Sequence, residues 1–184
     1  MFTMSDLEQV GYIRRTRTNG LYSPRKNQMT YELSKMPSER RATYLEKMVC
    51  AKLNSHGIRT AHVGSGGNSH DITVYTEKYN WNIEVKSALY NTNKVGGYKY
   101  SSYKFANIKP ENFDYIIFMF VTPTGIVAKF ANDMDVTDWA NDGRYVYETN
   151  KGYSIRFRNV DDDVIDLTNI DCLVRMFQRK LQVA

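Results

Sequence analysis

Apolar positions repeat with helical spacing over residues 38–55, "SERRATYLEKMVCAKLNS", which predicts an amphipathic α-helix. The positions that share one face are separated by four, three and four residues: Ala42, Glu46, Val49 and Leu53. Ser38 is the expected N-cap, and Gly57 stands just past the expected end. Glu46 therefore lies inside an apolar stripe, where a charged side chain is costly unless it has a partner.

Downstream of this helix the pattern changes to short apolar runs separated by turn residues, which is typical of β-strands. The predicted strands are residues 58–64, about 70–76, about 81–87, 113–121 and 125–131, and a hairpin is expected from 145–149 and 153–158. The run "FDYIIFMFV" (113–121) is apolar at nearly every position. Such a run predicts a strand that is covered on both faces.

Helices are expected at three further places. They are a short helix near the end of residues 88–112, one over "DVTDWAND" (135–142) that is capped by Asp135 or an adjacent residue, and a final helix over about 162–182. The order of elements predicts an α/β protein with a central mixed β-sheet flanked by helices. We expect a single domain over 1–184, with an irregular or partly helical N-terminal arm (1–36), a core of about 38–131, and a C-terminal hairpin plus helix (144–184).

The composition agrees with a folded protein that needs no disulfides, since 42% of the 184 residues are hydrophobic. Cys50 and Cys172 are far apart, and no Cys-x-x-Cys pair exists, which excludes a zinc ribbon and favours buried thiols in a reducing compartment. The N-terminus lacks the apolar core of a signal peptide, and no apolar run reaches the length of a membrane span. We therefore expect an intracellular, cytoplasmic protein with no membrane contact.

The net charge of +5 is unevenly distributed along the chain. Lys and Arg outnumber Asp and Glu by 11 to 5 over residues 1–60 and by 7 to 5 over 61–130, whereas the balance over 131–184 is 7 to 10. A basic first two thirds favours a polyanionic partner, usually nucleic acid and sometimes an anionic membrane.

Charged residues stand in the two predicted strands at 70–76 and 81–87. Side chains alternate along a strand, so Glu84 and Lys86 lie on one face while Val85 lies on the other. If the two strands are neighbours, Asp71 lies beside Glu84. Two close carboxylates repel each other, and a hard divalent cation such as Mg²⁺ or Mn²⁺ relieves the repulsion. The cation would activate a water for attack on phosphorus, with Lys86 orienting or deprotonating that water, and Glu46 is a candidate third carboxylate acting through a water.

The spacing of Asp71, twelve intervening residues and Glu84-Val85-Lys86 resembles the motif of the PD-(D/E)XK nuclease superfamily, which includes restriction endonucleases, Holliday-junction resolvases and repair nucleases. The resemblance covers roughly residues 38–131. It implies a restriction-endonuclease-like core and Mg²⁺-dependent hydrolysis of phosphodiesters. It also implies metal ligation by Asp71 and Glu84, a catalytic Lys86, and Glu46 as the helix acid that some members use.

The resemblance departs from the family motif at one position, because His70 stands where the nominal motif has proline. An exposed strand salt bridge between Glu84 and a neighbouring lysine is the alternative interpretation of the tripeptide.

Nucleic-acid contacts are expected from two basic segments. "KVGGYKYSSYKF" (94–105) interleaves lysines with aromatic rings, a composition that suits phosphate and base contacts, and its glycines suggest a mobile loop. The candidate contacts are Lys94, Tyr98, Lys99, Tyr103 and Lys104 in this segment and Arg14, Arg15 and Arg17 in the N-terminal arm. An ordinary solvated loop and a solvated terminus are the alternatives.

The functional hypothesis is therefore a Mg²⁺-dependent endodeoxyribonuclease, with restriction-type cutting of duplex DNA as the first choice. Symmetric cutting of both strands requires two copies of the site, so we expect a homodimer. A structure-selective junction resolvase or a repair nuclease is the alternative within the same superfamily. A nucleic-acid-binding protein without catalysis is the alternative from another class.

Overall fold

The computed structural model describes residues 12–13, 23–24, 29–64, 69–95, 98–122, 125–142, 146–149, 151–157, 165–166, 174–175 and 177–179. The helices are α1 (Met29–Lys35), α2 (Ser38–Ser55) and α3 (Asp133–Asp142), with a 3₁₀ turn at Pro110–Asn112. The strands are β1 (Tyr12–Ile13), β2 (Ser23–Pro24), β3 (Thr60–His62), β4 (Ile72–Tyr75), β5 (Asn80–Val95), β6 (Tyr98–Ile108), β7 (Tyr115–Val121), β8 (Ile126–Asn132), β9 (Val146–Thr149), β10 (Gly152–Phe157) and β11 (Ile165–Asp166).

Strands β3 to β11 form one sheet with the order β11-β8-β7-β5-β6-β10-β9, and β4 joins β5 to β3 beside this path. Strands β5 and β7 are parallel, whereas the other pairings are antiparallel. The prediction of an α/β protein with a central mixed sheet is confirmed. Strands β1 and β2 pair only with each other among the described residues.

Strand β5 is the central strand of the sheet, because it pairs with three other strands. One edge pairs with β7 over residues 83–89. The other edge pairs first with β4, over 80–83, and then with β6, over 90–95. Between these two pairings, residues 84–89 meet no strand of the described chain on this edge. The result is a gap in the sheet between β4 and β6.

Apolar side chains pack on both faces of the sheet. On one face, Leu45, Val49 and Leu53 of α2 contact a core that includes Ile83 and Val85 of β5. The opposite face carries an aromatic cluster with these members: Tyr103 and Phe105 of β6, Phe118 and Phe120 of β7, and Phe157 of β10, with Trp139 of α3 packed against it. Strand β7 is buried at every position after its first residue, which confirms the prediction that both of its faces are covered.

The predicted helix over residues 38–55 is confirmed, but its start differs in detail. Pro37 is the N-cap and no side chain caps the helix, so Ser38 is the first helical residue rather than the cap. Gly57 follows the helix with a φ of 81°, a left-handed conformation that glycine adopts without strain. The predicted stop is therefore confirmed.

The largest difference between the predicted and the observed fold lies in the segment 88–112. Strand β5 continues to Val95, and β6 returns antiparallel from Tyr98 to Ile108. The basic and aromatic stretch is therefore a β-hairpin, not a mobile loop, in the part that is described. The reason is burial: Tyr103 and Phe105 alternate with polar residues and enter the aromatic cluster, a period of two that stabilises a strand. The expected short helix is a 3₁₀ turn at Pro110–Asn112.

The C-terminal third also follows the sequence pattern in part. The hairpin of β9 and β10 is confirmed. Helix α3 begins two residues before the expected start, and Asn132 and Asp135 exchange side-chain to backbone hydrogen bonds of 2.9 and 2.6 Å across its first turn. The predicted helix over 162–182 is wrong at Ile165 and Asp166, which form β11 beside β8. Residues 174–175 and 177–179 are helical, and the remainder lies outside the described residues.

The aromatic cluster offers a direct test of the core. Phe118 is fully buried and packs edge-to-face on Phe105 and Phe157. We expect Phe118→Ala to lower the free energy of unfolding by about 3 to 5 kcal/mol, because it removes a large buried ring and leaves a cavity. Urea denaturation would measure this loss. The control is Tyr44→Ala on α2, where the ring is 45% exposed and a change within about 0.5 kcal/mol is expected.

Candidate active site

A cleft of about 710 Å³ lies at the gap in the sheet. Its lining includes Arg41 and Glu46 of α2, Asp71 before β4, Val85 and Lys86 of β5, and Lys104 of β6. Helix α2 packs on one face of β5. Lys86 lies on the other face, beside its register partner Phe118 of β7. Because no described strand fills the gap, side chains from both faces reach the same cleft. Charged groups can therefore stand in strands that are otherwise buried.

Asp71 is held in place by three hydrogen bonds, two with β5 and one with Val63, the residue after β3. Its N–H donates to the carbonyl of Ile83 at 3.1 Å, and its own carbonyl accepts from the N–H of Val63 at 2.8 Å. Its carboxylate Oδ2 accepts a hydrogen bond from the N–H of Val85 at 2.8 Å. Residues 70–76 and 81–87 are thus neighbours, as the sequence pattern suggested, and Asp71 closes the end of the β4–β5 pairing.

Glu84 and Lys86 lie on one face of β5, and the ammonium Nζ of Lys86 donates to the Glu84 carboxylate. The side chains of Lys86 and Glu84 are only 25% and 12% exposed, so the pair is not an exposed surface salt bridge. Burial is the main reason that the pKa of the Glu84 carboxyl is raised to about 7. Lys86 opposes this rise in the pKa, whereas Asp71 and Glu46 add to it.

Glu46 is buried, with 7% of its surface exposed, as its place in the apolar stripe required. Its Oε2 lies 2.9 Å from Nε2 of His62 on β3. Burial raises the pKa of Glu46, the hydrogen bond with His62 opposes the rise, and Asp71 adds to it. His62 is a member of this site that the sequence pattern did not predict. The available signal was Glu46 itself, because a carboxylate in an apolar stripe needs a partner.

The candidate metal ligands are close enough to influence one another electrostatically, but each one has another partner. Asp71 accepts from Val85, Glu84 from Lys86, and Glu46 contacts His62. Among the described residues, no three His, Cys, Asp or Glu side chains form a group that could hold a metal ion. The donor chemistry still fits a hard cation, since all three candidates offer carboxylate oxygens.

A backbone oxygen can add to this donor set. The N–H of Val85 is directed into the gap toward Asp71. In a strand, the N–H and C=O of one residue point toward the same edge, so the carbonyl of Val85 also faces the gap. The gap therefore combines carboxylate and carbonyl oxygens with the Lys86 ammonium.

The predicted nucleic-acid contacts have different outcomes. Lys104 is exposed and lines the cleft. Tyr103 is wrong as a contact residue, because it is 3% exposed and packs edge-to-face on Phe120 inside the aromatic cluster. The backbones of Lys94 and Lys99 are paired across the β5–β6 hairpin, and Tyr98 begins β6. Arg14, Arg15 and Arg17 lie outside the described residues.

Comparisons with known proteins identify no family for this chain. No protein-family model and no curated protein matches the sequence. Among solved structures, the bacterial homing endonuclease I-Ssp6803I is similar over 81% of this chain and 100% of that chain, with 13% identity and a TM-score of 0.46. A likeness at this level carries no functional conclusion. None of the helices in the described part of the chain has the length and hydrophobicity that a membrane span requires.

Proposed function

We propose that this chain is a Mg²⁺-dependent endodeoxyribonuclease of the PD-(D/E)XK type that hydrolyses phosphodiester bonds in duplex DNA. The observation that carries the proposal is the meeting of Asp71 with the Glu84–Lys86 pair at one gap in the sheet, where a cleft opens. Burial raises the pKa of the Glu84 carboxyl to about 7, so its ionised form destabilises the folded protein. Such groups concentrate at functional sites.

Asp71 and Glu84 would ligate Mg²⁺, for which Mn²⁺ substitutes, and Glu46 would act from α2 through a water. When bound, the ion would polarise a phosphate oxygen and lower the pKa of a water molecule. The position of Asp71 is set by the Val85 N–H, so this ligand is preorganised. His62 orients the Glu46 carboxylate through its hydrogen bond.

Lys86 is the proposed catalytic lysine. Its ammonium now donates to Glu84 inside the cleft. When DNA occupies the cleft, the same ammonium would donate a hydrogen bond to a phosphate oxygen or to the attacking water. It would thereby stabilise the negative charge that develops on phosphorus oxygens in a partly desolvated site, where such a contact is stronger than in bulk water.

Within this class we propose a restriction-type enzyme that acts as a homodimer, in which the N-terminal arm and the C-terminal hairpin beyond the core would supply base readout and subunit contact. The basic first two thirds of the chain supports DNA as the partner. A junction resolvase or a repair nuclease would use the same residues on branched or damaged substrates.

The test uses the purified protein with plasmid, nicked, flapped and four-way DNA and with RNA, each in Mg²⁺, Mn²⁺ or EDTA. We expect discrete plasmid fragments with 5′-phosphate and 3′-hydroxyl ends in either metal and none in EDTA. Cutting confined to junctions or flaps would replace the restriction-type assignment. Salt-sensitive binding with no cleavage in either metal would show a non-catalytic nucleic-acid-binding protein instead.

A further inference from the structure

Arg41 is a buried cation in the same cleft that the proposed chemistry does not use. It lies on α2 with 8% of its surface exposed, and it belongs to the lining together with Glu46, Asp71 and Lys86. Its Nη1 donates to the carbonyl of Met36 at 3.3 Å. Its Nε is buried and has no hydrogen-bond partner in the described structure.

The burial of this guanidinium is costly. Burial alone lowers the pKa of Arg41, and no carboxylate of the described residues offsets it. A buried charge normally pairs with an opposite charge, and a guanidinium offers five N–H donors in a planar fork. Arg41 therefore has the charge and the unused donors to bind an anion that enters the cleft.

The start of α2 adds to the positive character of this end of the cleft. Ser38 and Glu39, in the first turn, also line the cleft, and no side chain caps the helix. Uncapped N–H groups and the helix dipole favour a negative ligand at this position. The carboxylate of Glu39 opposes an anion, but it is on an exposed residue, where water screens its charge.

The separation of Arg41 from Glu46 along α2 indicates which anion Arg41 would bind. Arg41 precedes Glu46 by five residues, a rise of about 7.5 Å along the helix axis. A single phosphate group is much smaller than this rise. A group at Arg41 is thus separated from the carboxylates by a distance that suits a neighbouring phosphate of the same strand.

We propose that Arg41, with the first turn of α2, binds a backbone phosphate of the nucleic-acid substrate next to the one that is cut. This inference rests on the proposed function in that nucleic acid occupies the cleft. Arg41 is then a phosphate-binding residue that sets the register of the strand over Asp71 and Lys86. Lys104, an exposed residue of β6 in the lining of the same cleft, would contact the same backbone.

The experiment compares Arg41→Gln with Arg40→Gln, which removes the same charge from the adjacent exposed residue of α2, outside the cleft lining. Affinity for a short labelled duplex is measured in EDTA, where no cleavage occurs, between about 50 and 200 mM salt. We expect R41Q to weaken binding about tenfold and to reduce the salt slope by about one. R40Q should change the affinity by less than about twofold. Equal affinities of R41Q and R40Q would overturn the proposal.

A second measurement separates binding from folding. Inorganic phosphate should raise the melting temperature of the wild type and of R40Q but not of R41Q, because a ligand stabilises only the protein that binds it. Each shift is taken relative to the same variant without phosphate, so a loss of stability in R41Q does not hide the result. Equal phosphate shifts in R41Q and R40Q would contradict the assignment.

The outcomes also distinguish the two proposals. Wild-type protein that binds DNA through Arg41 but does not cleave it in Mg²⁺ would overturn the nuclease and keep the phosphate site. Protein that cleaves DNA while R41Q binds as tightly as R40Q would overturn the phosphate site alone. Wild-type protein that binds no nucleic acid would overturn both.

Discussion

Asp71→Asn and Lys86→Met should each lower the rate of Mg²⁺-dependent DNA cleavage by about 10²- to 10⁴-fold. Asparagine keeps an oxygen for the Val85 N–H but loses the negative charge that a cation needs. Methionine keeps much of the volume of the lysine stem but removes the ammonium that would stabilise the charge on phosphorus oxygens. Single-turnover cleavage rates measure the loss, and DNA affinity in EDTA should stay within about threefold of the wild type.

Two variants outside the cleft serve as matched controls. Asp114 accepts a hydrogen bond from the N–H of Asn82 of β5 at 2.7 Å, the same type of contact that Asp71 makes with Val85. Lys129 of β8 stands in the same row of the sheet as Lys86, with Phe118 between them. Asp114→Asn and Lys129→Met should cleave DNA at close to the wild-type rate. If D71N and K86M also do so, the site assignment is wrong.

Glu84→Gln should abolish cleavage and yet stabilise the folded protein at alkaline pH. The pKa of Glu84 is raised from 4.5 to about 7, chiefly by burial, so the folded state binds the proton more tightly than the unfolded state. The contribution of this group to stability is therefore complete below about pH 4.5 and declines as the pH rises to about 7. Glutamine stays neutral throughout and avoids that decline.

The expected size of this effect follows from the shift in pKa. E84Q should exceed the wild type in free energy of unfolding by up to about 3 kcal/mol near pH 8 and should match it near pH 4. Urea denaturation across this pH range measures the difference in buffers free of divalent cations. Glu111→Gln, which removes an exposed carboxylate of the 3₁₀ turn, controls for the change in net charge. A difference between E84Q and wild type that does not grow with pH would contradict the prediction.

Parts of the fold and the site were predictable because they depend on local spacing. The helix Ser38–Ser55 follows from apolar positions three and four residues apart, and β7 follows from a continuous apolar run. The common face of Glu84 and Lys86 follows from the two-residue period of a strand. The proximity of Asp71 to β5 needed only the assumption that consecutive strands pair.

Other parts depend on contacts between distant segments. The Lys94–Phe105 stretch was predicted as a mobile loop, since its glycines and lysines are typical of loops. It is instead mostly strand, because β6 pairs with the extension of β5 and with β10 and buries Tyr103 and Phe105 in the aromatic cluster. Ile165 and Asp166 likewise pair with β8, although the local pattern favoured a helix there. In both cases, pairing with a strand far away in sequence, β10 for β6 and β8 for β11, helped to outweigh the local preference.

Local patterns alone identify the charged residues that stand in apolar surroundings: Glu46 on its helix, Asp71 just before β4, and Glu84 and Lys86 in β5. Alternation and helical spacing are properties of a single segment, so they can be read without the fold. The gap that β4 and β6 leave along β5, and the membership of Arg41 and His62 in the same site as the motif, are visible in the folded protein alone. Those relations arise from the pairing of separate strands and the packing of α2 across them, which no local pattern contains.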